Sequence, residues 1–310
     1  MSRFPRVTAV ITTFNRAAVL PRAINSVLMQ SLQDIELLIL DNSSKDDTER
    51  VVRNYDDPRI RYVRHEPMNV SQARNLGVRE ARGQYVSFLD DDDEWFSDKL
   101  EAEVRLFEAG PKELGLVYCG FEIVDHRDAV IQTSIPNQRG WLYDLILQRR
   151  DALTGAASVP MIKRECYDAV GLYDPKLNVS EDDELYMRVA KRYMWDFVPE
   201  VLVRIHLHRG AKLGGRVADQ LEAAMYRYEL IRGELERYPR TKSSYLQQIG
   251  GLHCRLGKLG EGRRYIARAI KENPKNWAAW SQLGFSLLGR RGYRLGHAFY
   301  KKVLRKGYIV

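Results

Sequence analysis

Val7-Thr8-Ala9-Val10-Ile11-Thr12-Thr13 is an unbroken run of β-branched and apolar residues, and it turns abruptly polar at Phe14-Asn15-Arg16. A run without in–out alternation predicts a strand covered on both faces, as in a parallel sheet flanked by helices. Two more such runs follow. Glu36-Leu37-Leu38-Ile39-Leu40 ends in Asp41-Asn42-Ser43-Ser44, and Tyr85-Val86-Ser87-Phe88-Leu89 ends in Asp90-Asp91-Asp92-Asp93-Glu94. Helical periods over 17–30, 46–55 and 71–81 separate them, with a further strand at 60–63, a helix near 98–108 and a strand around 116–124. Strands alternating with helices at this spacing predict a doubly wound, mostly parallel α/β sheet. Ligands in such sheets sit beyond the carboxyl ends of the strands. The three polar clusters, at 12–16, 41–44 and 90–94, should therefore meet at one crevice.

Composition sets the frame for that crevice. With 310 residues, 45% of them hydrophobic and 29% charged, the chain can bury the cores of one large and one smaller domain. Three widely spaced cysteines, Cys119, Cys166 and Cys254, give neither a disulfide framework nor metal-ligand spacing. No apolar run reaches the ~20 residues of a membrane span, and the N-terminal residues lack a signal-peptide core, so a cytoplasmic protein is expected. The net charge of +8 is unevenly spread. Residues 1–215 hold 29 basic and 34 acidic side chains, residues 216–310 hold 20 and 7, and no acid follows Glu272. An acidic body with a basic tail suggests two domains with different partners.

Four adjacent carboxylates at 90–93 repel one another, so near a buried strand end some must take up protons or gain a counter-ion. Hard divalent cations such as magnesium or manganese use one or two carboxylates and complete their shell with water and substrate phosphates. A nucleoside diphosphate bridged by such an ion accounts for the pattern. No glycine-rich phosphate loop follows the first strand, which argues against a nucleotide kinase or dehydrogenase.

The sequence Val10-Ile11-Thr12-Thr13-Phe14-Asn15-Arg16, followed by Leu40-Asp41-Asn42-Ser43-Ser44-Lys45-Asp46-Asp47-Thr48, resembles the opening of family 2 glycosyltransferases with the GT-A fold. So does Asn69-Val70-Ser71-Gln72-Ala73-Arg74-Asn75-Leu76-Gly77, running on into Phe88-Leu89-Asp90-Asp91-Asp92-Asp93, and the likeness continues in order to about residue 214. The resemblance implies a domain at 1–214, with a nucleotide-sugar half at about 1–110 and an acceptor half at about 111–214. It places Thr12, Phe14, Asn15, Arg16, Asp41, Arg74, Asp90 and Asp91 at the nucleotide. It puts Asp41 on the base, Asp90 near the ribose, and Asp92 on a manganese or magnesium ion. His208, with His206 as its competitor, would be the histidine that closes the site against metal or diphosphate.

On the acceptor side, Ser180-Glu181-Asp182-Asp183-Glu184 precedes the helical spacing Leu185, Val189 and Tyr193. Ser180 with Asp183 fits a capping-box pattern, and acids in a first turn suit the helix dipole, which alone could account for this cluster. The functional reading is that one carboxylate takes the proton of an acceptor hydroxyl. The resemblance puts that base at Asp182, with Glu181 beside it, and the helix N-terminus is expected to keep it ionised.

In the tail, 217–235 is helical in period. Beyond Pro239 a 34-residue repeat relates Leu246, Ile249, Gly250 and Gly262 to Trp280, Leu283, Gly284 and Gly296, which resembles two tetratricopeptide-type hairpins. Domain two, 215–310, is thus expected to be all-helical. Its last basic residues, Lys301, Lys302, Arg305 and Lys306, alternate with apolar ones and suit an anionic membrane surface. No nucleic-acid motif accompanies them. The expected activity is an inverting, metal-dependent transfer from a nucleotide-sugar donor, UDP-linked, to a glycan or lipid-linked saccharide. The rival is an inactive nucleotide-binding scaffold acting through its helical repeats.

Overall fold

The β-branched opening run forms the centre of a parallel sheet, because its side chains are covered on both faces. Val7, Ala9, Val10 and Ile11 in β1 (Val7–Thr13) are fully buried, and every residue of β2 (Ile35–Asp41) is buried. The computed structural model describes residues 4–148, 156–207 and 216–304, with side chains described as far as residue 296. The chain divides into two compact units, residues 1–146 with 151–177 and 181–210, and the remainder, dominated by 211–310.

In the first unit β1 pairs in parallel with β2 and with β4 (Tyr85–Asp90), and β2 pairs in parallel with β3 (Ile60–Arg64). The helices α1 (Leu20–Leu28), α2 (Thr48–Arg53) and α3 (Val70–Glu80) connect these strands. Register makes the strand ends level: Thr12 lies opposite Leu40 and Asp90, and Thr13 opposite Asp41. The sheet then departs from pure parallel order. After β5 (Glu94–Trp95), α4 (Lys99–Ala109), β6 (Leu114–Val124), β7 (Val130–Ser134) and α5 (Tyr143–Leu147) comes β8 (Met161–Lys163). This short strand runs antiparallel between β4 and β6. The helices α6 (Arg164–Val170) and α7 (Glu181–Arg192) lead to β9 (Met194–His206), which is parallel to β6 and antiparallel to β5. The sheet order is β3-β2-β1-β4-β8-β6-β9-β5, with β7 paired to β6. All three cysteines are free and buried.

The second unit is helical. α8 (Val217–Leu235) packs on α9 (Pro239–Arg255), α9 on α10 (Leu259–Glu272), and α11 (Trp277–Leu287) on α12 (Gly289–Leu304). The repeat glycines act unequally. A Cβ on Gly250 would stand 2.7 Å from Ile266 Cγ1, and one on Gly262 2.3 Å from Cys254 Sγ, so α9 and α10 approach through these two positions. Gly284, the sequence counterpart of Gly250, has open space around it. The side chains of Lys301 and Lys302, and residues Arg305 and Lys306 altogether, lie outside the described residues.

Candidate active site at the strand ends

The four aspartates that follow Leu89 sort into two pairs. The Asp90 and Asp92 side chains are 39% and 24% exposed, whereas Asp91 and Asp93 turn inward and are buried. Asp91 accepts a hydrogen bond from Thr13 Oγ1 (2.7 Å), and burial with its acidic neighbours pushes its pKa up to about 7. Asp93 accepts from Ser158 Oγ (2.6 Å) and from the His206 amide (3.1 Å), and burial raises it well above the usual carboxylate range. The crowding of four carboxylates is thus relieved by favouring protonation of the inner two and by nearby cations. Arg16 lies 3.7 Å from Asp91 and 3.6 Å from Asp92, and Arg22 donates to the Asp92 carbonyl (2.6 Å).

The loops after β1 and β2 are wired to each other. Asn15 (φ 53°) donates its amide to Ser44 Oγ and accepts from the Lys45 amide, and Asn42 exchanges two hydrogen bonds with the Met68 backbone. Asparagine tolerates this left-handed conformation better than most residues. Asp41 is fully buried and accepts from the Ser44 amide (2.8 Å) and the Tyr62 hydroxyl. Phe14 is half exposed, and Thr12 lies on the rung shared with Asp90.

The Asn69–Asn75 segment has a role that its sequence did not announce. Asn69 caps α3 in a capping box with Gln72 and also donates to the Pro175 carbonyl (2.8 Å). Ser71 donates to the Leu177 carbonyl, and Asn75 both donates to the Tyr173 carbonyl and accepts from its amide, each at 2.8 Å. The N-cap and one face of α3 thereby pin the loop that leads into α7. Arg74 completes the clamp. Nearly buried between the Phe88 and Tyr173 rings, it pairs with Glu181 and reaches Asp90 at 3.4 Å. Burial works against its charge, but Glu181 and Asp90 more than offset this and raise its pKa. The structure thus commits Arg74 to joining the β4 end to the start of α7.

Two expectations for α7 are corrected. The Asp183 amide donates to Asp182 Oδ1 (2.8 Å), and Ser180 sits at φ 57° rather than in the extended conformation of a capping residue. The dipole also does not hold Asp182 at an ordinary carboxylate pKa. Desolvation, then Asp183 and Glu181, push it up to about 7, and Arg74 offsets only part of this. A carboxylate poised there is well matched to general-base work near neutral pH.

His206 is committed elsewhere: Nε2 lies 3.1 Å from Glu94 Oε1 and Nδ1 3.5 Å from Asp128, and burial lowers its pKa. His208 lies outside the described residues. Among the described residues no three His, Cys, Asp or Glu side chains converge as a metal-binding group. Asp92 with Asp90 nonetheless offers half-buried but accessible hard oxygen donors, and a cation shared with a diphosphate needs only one or two protein carboxylates. Ser158 is the residue that sequence reasoning missed. It accepts from the Asp90 amide, donates to Asp93, and its carbonyl takes the Trp95 indole N–H (2.7 Å). Nothing in Ser158-Val159-Pro160 signals that role. Beneath it lies a fully buried Lys99–Glu103 pair at 2.7 Å, with Lys99 4.5 Å from the Trp95 ring.

Comparison with known proteins places this geometry. The chain is 27% identical over 258 residues to an uncharacterized glycosyltransferase of Rickettsia prowazekii, covering 82% of this chain and 79% of that one. It is 40% identical over 102 residues to the GalNAc(5)-diNAcBac-PP-undecaprenol beta-1,3-glucosyltransferase of Campylobacter jejuni, 31% of this chain and 32% of that one. Its fold is similar to S. aureus TarS 1-349 in complex with UDP-GlcNAc (TM-score 0.66, 13% identity, 96% of this chain and 92% of that one). It is also similar to the mannosyltransferase PcManGT of Pyrobaculum calidifontis in complex with GDP-Man and Mn2+ (TM-score 0.60, 17% identity, 98% and 89%). The architecture is a GT-A fold followed by a helical region, and the activity is that of a glycosyltransferase. The model of glycosyl transferase family 2 matches residues 8–163, half of the chain, and the chain belongs to that family.

Proposed function

We propose that this glycosyltransferase moves a sugar from a UDP-linked donor onto a hydroxyl of a glycan or lipid-linked saccharide, with inversion at the anomeric carbon. The observation that carries the reading is the placement of Asp182. Its carboxylate, with a pKa near 7, neighbours Glu181, and Arg74 ties Glu181 to the half-buried Asp90 at the end of β4. Asp182 accepts the proton of the acceptor hydroxyl as that oxygen bonds to the anomeric carbon, and the bond from that carbon to the donor diphosphate breaks. No covalent enzyme intermediate is needed. Asp92 would hold a manganese or magnesium ion, and such an ion neutralises charge on a leaving diphosphate. Asp41 and the linked loops at Thr12–Arg16 form the base and ribose side, with Asp90 at the ribose. The UDP-GlcNAc complex of TarS supports a UDP donor, the manganese of PcManGT supports the cation, and the Campylobacter relative supports a lipid-linked acceptor.

The test is a mass-spectrometric screen of nucleotide sugars against undecaprenyl-diphosphate saccharides, with manganese, magnesium or chelator. Cation-dependent product from a UDP-sugar is expected. Tight UDP binding with no transfer to any acceptor would favour the scaffold reading instead.

A further inference from the structure

Helix α11 is amphipathic in the wrong sense for a closed helical stack. Its fully buried positions are Ala279 and Ser286, both small, while Trp277, Trp280, Leu287 and Leu288 are 78%, 46%, 66% and 71% exposed. At 100° per residue these four and Gly284 fall within one stripe, and Gly284 is exposed with open space where a Cβ would stand. A contiguous apolar surface of this kind marks a place where something binds.

Charge decides what covers it. Exposed Lys275 precedes the stripe, and exposed Arg291 and Arg294 follow it in α12 beside Leu295, which is 73% exposed. No acidic residue occurs anywhere after Glu272. A second copy docked face to face would set this cationic rim against its own duplicate with no carboxylate in the segment to pair with it. An anionic lipid surface supplies both the counter-charge and the apolar layer, and tryptophan rings favour that boundary.

We propose that the outer face of α11 with the start of α12 is a docking surface for anionic membrane, with the tryptophan and leucine side chains entering the headgroup boundary and Lys275, Arg291 and Arg294 facing acidic headgroups. This face would hold a transferase beside acceptors embedded in the same bilayer, although the inference does not depend on the acceptor being lipid-linked.

The experiment uses the full chain in flotation with phosphatidylglycerol-containing vesicles and with pure phosphatidylcholine vesicles. Binding to the anionic vesicles alone, lost at ~0.5 M salt where screening is short-ranged, is expected. A Lys275→Gln, Arg291→Gln, Arg294→Gln variant should bind on the order of a hundredfold more weakly, at about fivefold per basic residue. Trp277→Ser with Leu288→Ser should also lose binding. Unchanged circular dichroism of each variant shows that its helices remain folded. Absence of wild-type flotation at low salt, or equal flotation of both variants, overturns the assignment. So does a sedimentation dimer that Trp277→Ser dissociates, which would give the face to a second copy.

Discussion

If Asp182 is the base, the acid limb of the pH profile should move in opposite directions when its neighbours Glu181 and Arg74 are neutralised one at a time. Ionised Asp182 is the active form, so kcat/KM should rise with pH through about 7, where burial, Asp183 and Glu181 have pushed its pKa. Among the described residues, the groups that face it include Glu181 and Asp183 on its own helix, Arg74 from α3, and the Tyr173 and Tyr186 rings. Glu181→Gln removes a negative neighbour and should carry the limb to lower pH. Arg74→Gln removes a cation that lowers the Asp182 pKa and breaks that cation's pairing with Glu181, so the limb should climb. If the climb is about one unit, the ionised fraction at pH 7 falls from about one half to about one tenth, a roughly fivefold loss. Arg74→Lys keeps the cation and should leave the limb close to wild type, which separates charge from packing. The assay is initial-rate sugar transfer from pH 5 to 9 with donor below KM. Three coincident acid limbs would refute the reasoning, because then neither neighbour acts on the titrating group. Full transfer by Asp182→Asn alongside an inert Glu181→Gln would show that the other member of the pair is the base.

Other outcomes follow from the same geometry. Asp182→Asn should retain donor affinity by calorimetry while turnover drops by ~10²–10⁴-fold, the usual worth of a general base. Asp92→Ala should lose the manganese-dependent part of UDP binding, and unchanged metal-dependent affinity in that variant would remove Asp92 from the metal. Glu103→Gln strands the buried Lys99 ammonium and should cost about 3–5 kcal/mol in urea unfolding, whereas Lys99→Met with Glu103→Leu should be nearly neutral. Gly284→Ala has open space and should stabilise the helix by up to about 1 kcal/mol, while Gly262→Ala must push into Cys254 and should lower Tm.

What the sequence revealed follows from which forces are local. The all-apolar β1, β2 and β4 announce themselves because burial on both faces leaves no room for alternation, and their polar ends then point to one crevice. β8 escapes the same reading, since three residues carry no period and its pairing runs antiparallel to strands far away in sequence. The division of the aspartates into half-buried Asp90 and Asp92 and inward Asp91 and Asp93 is set by a turn, in which the Asp93 amide donates to the Asp90 carbonyl, and by the distant partners Thr13 and Ser158, so strand alternation does not foretell it. The clamp is different in kind. Ser71, Arg74 and Asn75 share a helical face and Asn69 caps its start, but their partners at 173–181 lie about a hundred residues on, so their chemistry reads as a surface helix until the chain folds back.

Asp182 shows how a correct local force can still give the wrong sign. The helix N-terminus does favour a carboxylate, but that effect is worth typically 0.3–1 kcal/mol at an exposed site and up to ~2 kcal/mol in a partly buried one. Against it stand desolvation and two adjacent acids, and each unit of pKa shift they impose is about 1.4 kcal/mol. Arg74, the cation beside it, is already shared between Glu181 and Asp90 and offsets only part of the rise, so the Asp182 pKa climbs to about 7. The ion pair therefore does two things with one arginine. It fixes the start of α7 against the end of β4, and it leaves the adjacent carboxylate short of counter-charge, which is the condition under which an aspartate accepts a proton near neutral pH.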